Sequence, residues 1–77
     1  MKFKKKFILL DNKKYNVVEH VIYNDKVYVY LVNSNDEFDS MFREFIEHGG
    51  KIELKEIEAT FFSGKLSSLF REKILNS

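Results

Sequence analysis

The sequence contains no cysteine, which excludes a disulfide framework and any thiolate-held metal cluster. It has no proline and only three glycines, and with no low-complexity stretch or internal repeat it shows no linker. No run approaches the roughly 20 apolar residues that cross a bilayer. The Lys2–Lys6 run is followed only by Phe7, Ile8, Leu9 and Leu10 before Asp11, too little for the apolar core of a secretory signal. These absences lead us to expect a cytoplasmic protein. A length of 77 residues suits a single domain, residues 1–77. A chain this short buries only about 60% of the surface its unfolded form exposes, so apolar packing and self-association, a homodimer included, are its expected sources of stability.

Chemistry-bearing constellations are also missing. Nucleophilic catalysis needs a serine or cysteine beside an oriented base, and the serines stand outside any G-x-S-x-G context. His20 falls within a strand-like segment and His48 precedes a double glycine, so both read as satisfied or solvent-facing. Asp36-Glu37-Phe38-Asp39 lacks the spacing and distal glutamate of a calcium loop. Gly49-Gly50 and Gly64 match neither a phosphate-cradling loop nor a dinucleotide fingerprint. The expectation is a protein that is not an enzyme and takes no cofactor or metal.

What is present is aromatic and β-branched. Eight phenylalanines and four tyrosines supply large apolar area, on the order of 150–250 Å² for each buried ring. Phe7–Leu10 is apolar and ends in the turn residues Asp11-Asn12-Lys13. Tyr15–Tyr23 is rich in valine and isoleucine, and Asn24-Asp25 then suits a tight hairpin. Val27–Val32 reads Val-Tyr-Val-Tyr-Leu-Val, strongly strand-forming. Connections this short make the three strands antiparallel neighbours. Val27–Val32 is apolar on both faces, as a central strand covered twice would be: by a helix on one side and by the sheet curling back on the other.

Residues 36–48 admit two readings. Phe38, Met41, Phe42, Phe45 and Ile46 follow the helical stripe, with acids in the first turn and Gly49 just past the end. As a strand, the same segment makes a hairpin over Gly49-Gly50 that sets Phe45 opposite Leu54 and Phe42 opposite Ile57. That register also places Glu44 across from Lys55 and Arg43 across from Glu56. Mixed pairs fall nearer the turn, Glu47 with Ile52 and Ile46 with Glu53. Periodicity alone favours the helix slightly.

The C-terminal stripe Phe62, Leu66, Leu69, Phe70 and Ile74 predicts a helix over roughly 61–75, capped by Thr60 or Ser63. Gly64 near its start weakens a helix by about 1 kcal/mol, so the helix is read as starting near it.

The succession Lys14–Glu19, Tyr28–Asn33, a polar stretch, Met41-Phe42-Arg43-Glu44 and finally Leu66–Phe70 resembles a group of small Firmicute and phage proteins that carry no assigned activity. The resemblance spans nearly the whole chain and implies a hairpin over Met41–Ile57 and a C-terminal helix. Ser63 and Gly64 stand where the resemblance leads one to expect a stronger helix former. With the resemblance included, the expected fold is α+β: an antiparallel meander of about five strands with one helix on a face. The alternative is β-β-β-α-β-α with residues 36–48 helical. The expected core is Phe7, Leu9, Val17, Val21, Val29, Leu31, Phe42, Leu54, Phe62, Leu66, Leu69 and Phe70.

Charge is divided along the chain although the net charge is only +1, which argues against a protein that coats nucleic acid. Residues 1–35 carry seven lysines against three acids, and residues 36–58 carry eight acids against three bases. Two functions follow as expectations. The first is a non-catalytic protein-binding accessory or inhibitor, of the kind a phage directs at a host protein, using Glu44, Glu47, Glu53, Glu56 and Glu58. The second is a small nucleic-acid-binding domain using Lys2, Lys4, Lys5, Lys6, Lys13 and Lys14 beside Tyr28 and Tyr30.

Overall fold

The computed structural model of the chain describes residues 3–75. Five strands follow one another in chain order: β1 (Phe7–Leu10), β2 (Lys13–Tyr23), β3 (Lys26–Asn33), β4 (Asp36–His48) and β5 (Lys51–Lys55). They form one antiparallel sheet in the order β1-β2-β3-β4-β5. Helix α1 then runs from Ala59 to Leu75, with a π-helical turn at Phe62–Leu66 between α-helical stretches at Ala59–Phe61 and Ser67–Leu75. This is the expected meander with one C-terminal helix.

Three hairpins turn in the same way. Leu10 pairs with Lys13, Tyr23 with Lys26 and His48 with Lys51, leaving two residues in each loop. Both loop residues have positive φ in every case: Asp11 and Asn12, Asn24 and Asp25, Gly49 and Gly50. Two consecutive left-handed residues match the right-handed twist of the flanking strands, and Asn, Asp and Gly adopt that conformation at least strain. The β3–β4 connection is built differently. Asn33 pairs with Asp36 after a register break, and the side chains of Asn33 and Asp36 accept from the amides of Asn35 and Phe38.

Residues 36–48 form a strand. The hairpin register is the one read from the sequence, with Phe45 opposite Leu54 and Glu44 opposite Lys55. The ladder ends at Lys55, however, so the expected pairs of Arg43 with Glu56 and Phe42 with Ile57 are not part of it. Met41 and Phe45 pack on one face and Phe42 on the other. A strand apolar on both faces places large residues next to each other in sequence, which imitates the i, i+3, i+4 stripe of a helix.

Two cores lie back to back on this sheet. On the helix side, Val21, Tyr28, Leu66 and Phe70 are buried, with Tyr30, Phe42, Phe61, Phe62 and Leu69 packed around them. On the far side, Ile8, Tyr15, Val27, Val29 and Leu31 are buried, joined by Leu10, Met41, Phe45, Leu54 and Phe3. Among the described residues no helix covers that side. Residues from β1 and β5 belong to the same cluster, so the sheet itself curls until its far-side chains meet, and Phe3 adds a ring contact to Phe45 at 4.9 Å.

A bulge in β2 lets one strand serve both cores. Val17 pairs with Leu31 and Glu19 with Tyr30, with Val18 as the extra residue. One extra residue reverses the alternation of faces. Tyr15 and Val17 therefore join the far-side core, whereas Val21 and Tyr23 join the helix side.

Two core expectations are corrected. Phe7 is 50% and Leu9 69% exposed, and their neighbours Ile8 and Leu10 turn inward instead. All four residues of β1 are apolar, so the alternation is fixed by pairing: Ile8 lies opposite the buried Tyr15 and Leu9 opposite Lys14. The helix start is corrected as well. It begins at Ala59 with Glu58 at the N-cap and no capping side-chain hydrogen bond. Gly64 lies inside the π turn, where Ser67 and Ser68 hydroxyls donate to the Ser63 and Gly64 carbonyls at 3.1–3.5 Å. The widened turn brings both Phe61 and Phe62 onto the sheet, against Tyr28 and Phe42 respectively.

Candidate functional site: an acidic, aromatic-walled cleft

The β4–β5 hairpin, the β2–β3 turn and the start of α1 meet around an open cleft of about 430 Å³. Its lining includes Tyr23, Tyr28 and Phe61 and the charged residues Lys26, Glu44, Lys55, Glu56 and Glu58. The ring centroids stand 5.8 Å apart for Tyr23–Phe61 and 5.5 Å for Tyr28–Phe61. Each position follows from local structure. Tyr28 and Glu44 are direct cross-strand partners, and Glu44 in turn faces Lys55. Glu56 and Glu58 lie in the short link that leaves β5 and enters the helix.

Electrostatics couple these groups. Burial, followed by the nearby Glu44 carboxylate and Tyr23, pushes the Tyr28 hydroxyl above its ordinary value. The Thr60 hydroxyl donates to the Glu58 carboxylate at 2.9 Å. Lys65 stands 5.8 Å from the Tyr23 ring centroid, so a cation already lies against one wall of aromatic rings.

The structure brings together three of the five expected glutamates. Glu44, Glu56 and Glu58 line the cleft. Glu47 projects from the opposite side of β4, where Lys5 approaches its carboxylate at 4.0 Å. Glu53 pairs with Ile46 on β5 outside the cleft. Tyr23, Lys26, Ile57 and Phe61 were not foreseen as site residues. Lys55 and Ile57 had a legible signal in the hairpin register read from the sequence, opposite Glu44 and Phe42.

The lysines do not form one surface. Lys4 and Lys5 line a second groove with Phe3, Phe45 and Glu47, which shares Lys26 and Glu44 with the cleft. Lys13 and Lys14 stand at the β1–β2 hairpin, where Lys14 lies 4.8 Å from the Phe7 ring centroid, and Lys6 is exposed at the entry to β1. Lys2 lies outside the described residues. Tyr28 is buried against the helix, and Tyr30 stacks on Phe42 at 4.4 Å, so neither ring is offered to a base.

His20 and His48 are far apart in the sheet. His20 contacts the Phe3 ring at 5.0 Å, and burial, then the Lys73 charge, holds its pKa below the usual value. His48 closes β4 opposite Lys51. Among the described residues no group of three His, Asp or Glu side chains is placed to hold a metal ion, and no helix is long and apolar enough to cross a membrane.

Fold and site together define a small α+β domain with a charged, aromatic cleft. No protein-family model, no curated protein and no solved structure matches the chain.

Proposed function

We propose that the protein is a non-catalytic binding module for another protein, and that the cleft receives a basic side chain of that partner. The observation that supports this is the gathering of Glu44, Glu56 and Glu58 beside the half-buried Tyr23 and Phe61 rings. Carboxylates offer bidentate acceptance to a guanidinium, and aromatic faces attract its cation. Lys26 and Lys55 on the lining offset part of the carboxylate charge, and the fork geometry of a guanidinium suits paired carboxylates better than a point charge does. An accessory or inhibitor of the kind a phage directs at a host protein would act through such a surface.

Capture of the partner by the tagged protein tests this, comparing wild type with a Glu44→Lys/Glu58→Lys variant. The expected result is at least a tenfold loss of capture in the variant, with the fold retained by circular dichroism. Capture that survives the charge reversal, or that disappears on nuclease treatment, would remove the acidic cleft as the binding surface.

A further inference from the structure

We propose that strand β1 pairs antiparallel with β1 of a second copy of this chain, about a two-fold axis at Ile8. This edge stands apart from the cleft, which lies by the β4–β5 hairpin at the other end of the strand order.

The two edges of the sheet are unlike. β5 reads Lys-Ile-Glu-Leu-Lys, and pairing it with a copy of itself about its centre opposes Glu53 to Glu53 and Lys51 to Lys55. Like charges directly opposed weaken a ladder, and charge on an edge strand is a common guard against such pairing. β1 reads Phe-Ile-Leu-Leu and has no charge in the strand. Among the described residues, its outer row of backbone donors and acceptors meets no further strand of this chain. It also carries two of the exposed large apolar side chains, Phe7 and Leu9.

Antiparallel pairing about Ile8 is self-complementary. A two-fold axis normal to the sheet keeps each face on its own side. It therefore sets Phe7 beside Leu9 of the second copy and Leu9 beside its Phe7, all on the helix side of the sheet. The line of β1 continues through Lys6, whose carbonyl accepts from the Val17 amide at 2.9 Å. The same register then brings the Asp11 carboxylate of each copy to the Lys5–Lys6 end of the other, an attraction repeated twice by symmetry.

The test is the solution mass over a range of concentrations for the wild type, for Phe7→Lys/Leu9→Lys, for Phe7→Glu/Leu9→Glu, and for an equimolar mixture of the two variants. Wild type is expected to rise towards twice the monomer mass. Each variant alone sets like charges opposite one another and should stay monomeric, with association weakened at least tenfold. The mixture should regain the dimer, because each introduced lysine of one copy then faces an introduced glutamate of the other. A wild type that stays monomeric at the highest concentration overturns the proposal, as does a variant that dimerises as well as wild type. Should either variant fail to fold, concentration-dependent hydrogen-exchange protection of the Phe7–Leu10 amides in the wild type decides the question. Protection that ignores concentration rejects the proposal.

Discussion

The two faces of the sheet solve the same problem with different materials. On the helix side, aromatic residues dominate: Tyr28, Tyr30, Phe42, Phe61, Phe62 and Phe70 pack around Leu66. On the far side the buried residues are mostly aliphatic: Ile8, Val27, Val29 and Leu31, with Tyr15 as the buried aromatic. A helix stands about 10 Å from the sheet it covers, and rings span that gap. The cleft opens on the helix side, where Phe61 meets Tyr23 and Tyr28 at 5.8 and 5.5 Å.

The sharpest way to break this contrast is to empty one core at a time. Phe70 is 2% exposed and meets Phe42 edge-on at 5.0 Å. Phe70→Ala should destabilise the protein by about 3–5 kcal/mol, the usual range for deleting a buried ring. On the far side, Ile8→Ala should lose about 2–5 kcal/mol, since Ile8 is only 3% exposed. Denaturant midpoints at constant slope would measure both. If the faces are separate cores, the milder Ile8→Val combined with Phe70→Ala should add to within about 0.5 kcal/mol. A larger coupling energy would mean that the sheet transmits strain between its faces.

A polar anchor at one end of the sheet distinguishes the faces further. The Tyr15 hydroxyl and the Asn33 amide both donate to the Asp39 carboxylate, at 2.7 and 3.0 Å. The bonds from Asn33 and then Tyr15 hold Asp39 below its usual 3.8, and the bond to Asp39 leads the causes that raise Tyr15 above 10.0. A depressed carboxylate stabilises the fold at every pH above its unfolded value, and that contribution fades as pH falls through 3.8 towards the folded value. Asp39→Asn should therefore lower stability at neutral pH and flatten the acid limb of the stability profile. Tyr15→Phe should flatten the alkaline limb, because a raised phenol contributes below pH 10.0 and loses that contribution as pH rises further. Urea titrations from about pH 2 to pH 11 would show whether both limbs flatten as described.

Much of this fold was legible in the residues, and the unread parts have identifiable causes. The hairpins were readable because Asn24-Asp25 and Gly49-Gly50 are chemically suited to positive φ, and because Glu44 and Phe45 find matching partners in Lys55 and Leu54. The choice between strand and helix for residues 36–48 was not decided by periodicity, since a strand buried on both faces has no strict alternation. Tyr15 was missed because its partner Asp39 lies 24 residues away, beyond any local pattern. The bulge at Val18 leaves no distinctive residue behind, so the switch of Val17 and Val21 to opposite cores was invisible. The cleft was half legible. Three of its carboxylates stood in the acidic middle of the chain, whereas Tyr23 and Phe61 meet only because the helix returns across the sheet.

The smallest expected effect probes the orientation of β1, where four apolar residues in a row offered no means of choosing a face. Leu9 is opposite Lys14 and 69% exposed. Leu9→Thr should therefore change stability by no more than about 0.5 kcal/mol, as surface substitutions do, and threonine suits the pleated backbone that remains. The measurement belongs at dilute protein, where self-pairing through β1 contributes nothing to the unfolding free energy. At high concentration the same substitution should lower the apparent midpoint, because the proposed β1 pairing sets Leu9 beside Phe7 of a second copy. A loss of about 2 kcal/mol or more at dilution, in the range of a buried leucine, would put Leu9 in the core and Ile8 outside it. That single reversal would carry Tyr15 and the far-side core with it, since their placement follows from the same ladder.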